Sequence, residues 1–268
     1  MPAMRIPSLA AVGIFALWAA PALAAGGLGE CESMAEPVGA PEYQSAPSAH
    51  TLLCRTGYVL SHNDKMKVPD WVLESLTPDR FKKNVGREDR FVPDPKLVLD
   101  GRPHAVDKDY LHSGFDRGHM APAADMTWNK TAMEESFYFS NIAPQVGSGF
   151  NQHIWKYLET QVRDWTKDRE RLIVITGPVY GGSREPIGNN KVTVPKAFYK
   201  IVYDPEWGRA IGFLLPNEKL SGKKFKDYRV SIRKIEDATD LDFFPKLSRR
   251  EQNILERRKS PMWRDFPD

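Results

Sequence analysis

Four side-chain chemistries follow one another at Asp116-Arg117-Gly118-His119. An imidazole exchanges a proton near neutral pH. A guanidinium carries a permanent charge in a planar fork that suits phosphate or carboxylate. The glycine lets backbone bend or approach a ligand closely. The carboxylate can orient a neighbour or balance local positive charge. Asn141, Asn151 and Glu159 follow in order. Such a set could hold a hydrated Mg2+ beside a phosphodiester, because this ion keeps most of its waters and takes only one or two protein oxygens. The amide oxygen of Asn151 would suffice. His119, when neutral, would accept a proton from an attacking water, and an arginine would neutralise charge growing at phosphorus. Activity should then fall as the pH drops through the range, between 5 and 8, in which an ordinary histidine takes up a proton.

Spacing limits these roles. Glu159 is eight residues beyond Asn151, a rise of about 12 Å along an α-helix. Both cannot bind one ion directly, so Glu159 is a supporting group acting through a water or a neighbouring side chain. Simpler roles stay open: Asn151 as a helix cap, Glu159 as a solvent-facing helix residue, Asn141 as a turn former before Ala143-Pro144. His50, His62, His104, His112 and His153 have no ligand-like spacing.

The positioning elements are legible in outline. Strand-like stretches at 58–62 and 71–76 predict a hairpin. The charged, proline-dotted residues 78–110 predict a long ordered loop. A short helix over 131–136 and a core strand over 137–140 lead to Asn141. Gly147-Ser148-Gly149 breaks the chain, and from Asn151 onward Ile154, Trp155, Leu158, Val162 and Trp165 form one apolar helical stripe. Residues 172–176 read as a buried strand ended by Gly177-Pro178, with further strands at 192–194, 197–203 and 209–215. Gly181-Gly182 lacks the lysine and helix start of a phosphate loop and reads as a turn. Helices are expected over 231–238 and 248–259. The last carries Arg249, Arg250, Arg257, Arg258 and Lys259, either a solvated face or a polyanion contact.

The 268 residues are 41% hydrophobic and 27% charged, the balance of a globular chain with a sizeable core. A net charge of +3 is too small for a strong overall field, so polyanion binding must come from local patches. Arg5, the apolar run at 9–20 and the small-x-small ending Ala22-Leu23-Ala24 read as a signal peptide over residues 1–24. Its cleavage removes Arg5, taking +3 to +2. Residues 25–50, rich in Ala, Gly, Pro and Ser, read as an extended arm before a domain over 51–260. Cys31 and Cys54, the only cysteines, read as a disulfide in an exported chain. The expected location is periplasmic or secreted, without membrane association after cleavage.

An ordered set of motifs carries a resemblance. It runs through Tyr110, Ser113-Gly114-Phe115-Asp116-Arg117-Gly118-His119-Met120-Ala121-Pro122, Ser140-Asn141-Ile142-Ala143-Pro144-Gln145, Asn151-Gln152 and Glu159. It continues through Thr176-Gly177-Pro178-Val179-Tyr180, Val194-Pro195-Lys196-Ala197-Phe198-Tyr199-Lys200 and Leu241-Asp242-Phe243-Phe244-Pro245. Over residues 55–246 the chain resembles the DNA/RNA non-specific endonucleases. The resemblance implies an α+β fold, a ββα-metal core on a mixed, mainly antiparallel sheet flanked by helices. It implies an Mg2+-dependent hydrolase cleaving DNA and RNA, with Mn2+ substitution and a homodimer left open. His119 matches the general base and Asn151 the metal ligand. Asn141 and Glu159 match supporting active-site positions, Arg117 the motif arginine, and Asp116 stands beside it as a supporting carboxylate. The transition-state arginine matches Arg87, with Arg90 a close rival. One departure is visible: the segment from Asn141 to Asn151 is one residue longer than the family spacing. A non-catalytic nucleic-acid-binding module and a metal phosphodiesterase for another substrate are the competing readings.

Overall fold

The computed structural model describes residues 29–46, 49–81 and 85–263; the expected signal peptide lies outside them. The described strands are β1 (Glu42–Tyr43), β2 (His50–Cys54), β3 (Val59–Asn63), β4 (Val68–Leu76), β5 (Asp116–His119), β6 (Ile142–Gln145), β7 (Leu172–Val179), β8 (Ala197–Asp204), β9 (Arg209–Pro216), β10 (Arg229–Val230) and β11 (Leu241–Asp242). The helices are α1 (Glu32–Ala35), α2 (Pro95–Leu99), α3 (Asp107–Tyr110), α4 (Lys130–Ser136), α5 (Lys156–Lys167), α6 (Ile232–Thr239) and α7 (Arg249–Glu256).

Seven strands form one sheet in the order β10-β9-β8-β7-β4-β3-β2, with every pairing antiparallel. The sheet is therefore antiparallel throughout rather than mixed. Its strands alternate between two cores, as a period of two requires. Leu60, Val72, Val174, Phe198 and Val202 pack on one face with the buried stripe of α5. Val59, Trp71, Leu73, Ile175, Tyr199 and Ile201 pack on the other with Ile232 and Ile235 of α6.

The site-bearing unit stands on the first face. β5 and β6 pair antiparallel outside the large sheet, with His119 opposite Ile142 and Asp116 opposite Gln145. Gly118 is required here: a Cβ would stand 2.2 Å from the Gln145 side chain. After β6 the chain breaks at Ser148 and Gly149, whose backbone is not helical (Gly149 φ 87°), and then winds through a π-helical turn ending at Trp155 into α5. The Asn151 amide donates to Val146 O at 2.9 Å, five residues back. A π turn takes up one residue more than an α turn, which accommodates the long spacing between Asn141 and Asn151. Ile154, Trp155, Leu158, Val162 and Trp165 are all buried, so the expected stripe faces the sheet.

Several local expectations are corrected. Residues 137–140 are not a strand: after Phe137 a 3-10 turn, Phe139–Asn141, leads into β6. Pairing there is limited to an isolated parallel bridge, Val92 to Tyr138, with the Phe139 amide donating to Val92 O at 3.0 Å, and the apolar run is otherwise buried by packing. Residues 78–110 carry α2 and α3; Asp94 caps α2 by accepting from the Lys96 amide at 3.0 Å. Residues 192–194 contribute only an isolated bridge, Ile187 to Val192. β7 runs through Gly177-Pro178 to Val179. The C-terminal helix stops at Glu256. Residues 29–46, within the stretch read as an extended arm, hold α1 and β1, and β1 pairs with β11.

Cys31 and Cys54 are disulfide-bonded, joining α1's leading turn to the edge strand β2. The sequence separation of 23 corresponds to about 3 kcal/mol in the chain-entropy account. Replacing both cysteines by serine should lower the unfolding free energy by about that amount in a urea titration and leave the sheet's circular dichroism unchanged at zero denaturant.

Candidate active site

The end of β5, the π-helical segment and the first turn of α5 enclose a cleft of about 330 Å³. Its lining includes Arg87, Arg117, His119, Asn151, Glu159 and Arg163. The register of β5 decides what enters it. His119 is the last residue of the strand, and its half-buried ring lies 5.0 Å edge-on from Phe137 and 5.5 Å from Phe91. Its Nε2 is buried without a hydrogen-bond partner. Burial holds the imidazole down to about 3, and the charge of Arg87 acts in the same direction. The ring is therefore neutral across the working pH range, which moves its titration well below the 5 to 8 window expected from an ordinary histidine.

Asp116 fixes the opposite side of the cleft. Its Oδ2 accepts from Asn151 Nδ2 at 2.9 Å and from Gln152 Nε2 at 3.0 Å. A Cβ on Gly147 would stand 2.7 Å from Asp116 Oδ1, so the carboxylate needs a glycine to reach the helix start. Because Nδ2 is committed to Asp116, the Asn151 amide oxygen is turned away from it and accepts no hydrogen bond from a described residue.

Glu159, half-buried in the first turn of α5, is pushed up to about 7 by burial, against the opposing pull of Lys200 and Arg163. Beneath it lies a buried charged group. Lys200 Nζ donates to Thr176 Oγ1 at 2.5 Å and sits 5.2 Å from the Trp155 ring centre. Asp125 pairs with Arg163 at 3.0 Å. Glu74 is raised well above the carboxylate range by burial and then by Asp125.

The structure separates the candidate arginines. Arg87, paired with Asp89 at 2.7 Å, lies 5.1 Å from the Phe137 ring and shares the cleft with His119. Arg90 lines a different pocket with Val92, Glu134 and Tyr138. Arg117 reaches the cleft's rim while bonded to Asp107 at 2.8 Å. Asn141 is not brought into the cleft. It is fully buried, donates to Ala121 O and Ser136 O, and accepts from the Ala121 amide, each at 2.9 Å. It locks the chain just beyond His119. Sequence reasoning missed Arg163, although its place four residues after Glu159 was an available i,i+4 signal.

The donor set suits a hard, hydrated cation. The cleft offers the neutral amide oxygens of Asn151 and Gln152 and one carboxylate, with no thiolate, since both cysteines are in the disulfide. Among the described residues, the one group of three close carboxylates is Glu236, Asp242 and Glu256, and none of these lines the cleft. A cage made wholly of protein is absent there, as an ion that keeps its own waters allows.

A family model described as DNA/RNA non-specific endonuclease matches residues 37–250. Nuclease C1 of Cunninghamella echinulata var. echinulata is 38% identical over 216 residues, covering 75% of this chain and 85% of that protein. Mitochondrial endonuclease G of Bos taurus is 33% identical over 257 residues, covering 90% and 81%. Among solved structures, a chain from the crystal structure of the EndoG/EndoGI complex superposes with a TM-score of 0.70 at 32% identity, covering 78% of this chain and 91% of that one.

Removing the Asp116 carboxylate frees Asn151 and Gln152 together. Asp116→Ala should weaken divalent-cation binding by about 10–100-fold in a calorimetric titration, with thermal stability lowered far less than the loss of a core residue would cause.

Proposed function

The chain belongs to the DNA/RNA non-specific endonuclease family, and from that membership we propose that it is an exported, Mg2+-dependent endonuclease cleaving both nucleic acids without sequence preference. The observation that carries the chemistry is a neutral imidazole with no hydrogen-bond partner, in one cleft with the free amide oxygen of Asn151 and three guanidiniums.

His119 accepts the proton of a water attacking phosphorus. Its aromatic collar excludes solvent and keeps it unprotonated, while Arg87 adds a second reason for neutrality. Arg87, free of the buried ion pairs, faces the charge that develops on the phosphoryl oxygens. Asn151 would hold the ion, with Asp116 fixing the amide's orientation through Nδ2. Glu159 orients water beside that position, and Arg163 and Lys200 supply the positive charge that offsets its burial. When bound, Mg2+ stabilises the leaving oxygen and the charge on phosphorus. Arg117 holds the approach to the cleft and contacts phosphate. Contacts to phosphate carry no sequence information, which fits cleavage without sequence preference. Export to the periplasm or medium is supported by the residue 1–24 pattern and by a disulfide, which persists in oxidising compartments.

Plasmid DNA and RNA should both be degraded in Mg2+ and spared in EDTA, and His119→Ala should lose about 10²–10⁴-fold in rate while binding DNA normally. Near-normal turnover by that variant, or cleavage undiminished in EDTA, would overturn the assignment. At saturating Mg2+, His119 should contribute no acid limb between pH 8 and 5.5, because a base whose proton affinity is depressed stays unprotonated there; a fall near pH 7 should come from Glu159, pushed up to about 7, and should be absent from the residual activity of Glu159→Gln. An acid limb near the ordinary histidine value that persists in Glu159→Gln would contradict the aromatic burial of the His119 ring.

A further inference from the structure

The basic C-terminal helix takes no part in the cleft. α7 packs against α6 and β9, and Leu255 joins the core on the sheet face opposite α5. Successive helix residues are about 100° apart. Within α7, Arg249, Asn253, Arg250 and Ile254 therefore occupy one arc of about 140°; Arg257 continues it with helical backbone at the C-cap, Arg258 follows, and these six residues line a shallow groove. Gln252 and Glu256 are buried on the opposing arc, with Leu255 half-buried.

The charge on this face is not neutralised from within. Arg249 donates to Gln252 Oε1 at 2.9 Å and stands 3.8 Å from Asp242. Arg250, Arg257 and Arg258 are exposed and make no ion pair or hydrogen bond with a described residue. The neighbouring Glu251 carboxylate is committed to the N-cap, accepting from the Ser248 amide at 2.8 Å and its hydroxyl at 2.6 Å. No carboxylate lines the groove. Three guanidiniums gathered without counter-charge, beside a fourth only distantly paired, repel one another, and an anionic partner relieves that cost.

We propose that this face of α7 is a second nucleic-acid contact, which grips the phosphate backbone of long DNA or RNA at a distance from the cleft. Arg249 at the start of the helix and Arg257 at its C-cap lie about 12 Å apart along the axis, so they address separate phosphates. Guanidinium forks suit phosphate oxygens. A lipid surface fits less well: an interfacial helix presents a broad apolar stripe, and this face has only Ile254, 65% exposed. Because the cleft lies on the other side of the sheet, a stiff short duplex in the cleft cannot reach α7. A long molecule can, by a distant segment, and the second contact then acts at the effective concentration that one polymer provides. The inference rests on the nuclease reading for its substrate.

The test compares the full chain with a triple variant, Arg250→Gln, Arg257→Gln and Arg258→Gln. Binding is measured in EDTA to kilobase duplex DNA and to a duplex of about 12 base pairs, roughly 40 Å long, across a salt series. For kilobase DNA the slope of log K against log salt should flatten by about 2 to 3 and affinity at physiological salt should fall about tenfold or more. Binding and Mg2+-dependent cleavage of the short duplex should be unchanged, with an unaltered melting temperature. An unchanged slope on kilobase DNA would show a merely solvated face. An equal loss on both duplexes would place α7 in the cleft's own groove. Loss of binding to phosphatidylserine vesicles with kilobase DNA binding intact would assign the face to membranes. Each of these outcomes overturns the proposal. If the unmodified chain cleaves neither DNA, the nuclease reading fails, yet the EDTA binding slopes still decide this one.

Discussion

One carboxylate ties the two halves of the cleft together. Asp116 stands at the start of the strand that ends in His119, and its Oδ2 takes both amide groups, Asn151 and Gln152, from the helix opposite. The same bond that anchors Nδ2 leaves the Asn151 oxygen to face the cleft. Gly147 lets the carboxylate come that close. Strand register then sets where the imidazole stands, and the helix start sets where the amide oxygen stands. The separation of the His119 ring and the Asn151 amide oxygen is thus built into backbone pairing rather than left to flexible side chains.

Beneath this rigid layer the protein carries a costly feature. Glu74, Asp125, Lys200 and Thr176 are almost wholly removed from solvent, and burying charges is expensive unless each is answered. The arrangement places positive groups, Lys200 and Arg163, where they act on Glu159, and Asp125 holds Arg163 in turn. Hydrophobic residues of equal volume would pack here at lower cost. Retaining charges beside the cleft sets the electrostatic environment around Glu159.

The two sheet faces divide the work. One packs α5 and carries the ββα unit; the other packs α6, α7 and the disulfide-linked N-terminal segment. Chemistry on one face and an unneutralised arginine surface on the other are compatible because the seven-stranded sheet separates them. The fold can support both without either perturbing the other's charge state.

Chain-local features were determined by the sequence itself: the β3–β4 hairpin, the apolar stripe of α5, the cysteine pair, and the chemical types at 116–119, 151 and 159. These depend on periodicity, turn chemistry and residue identity, all of which are local. The 137–140 run misled because an apolar stretch buried by packing resembles one buried by pairing. Tertiary structure alone decided that Arg87 rather than Arg90 shares the cleft with His119. It also decided that Asn141 braces Ala121 instead of facing the cleft, that Arg163 joins Glu159, and that His119 stays neutral far below its ordinary range. Each of those outcomes depends on which groups from distant segments come within a few ångströms, and electrostatics and burial act through space rather than along the chain.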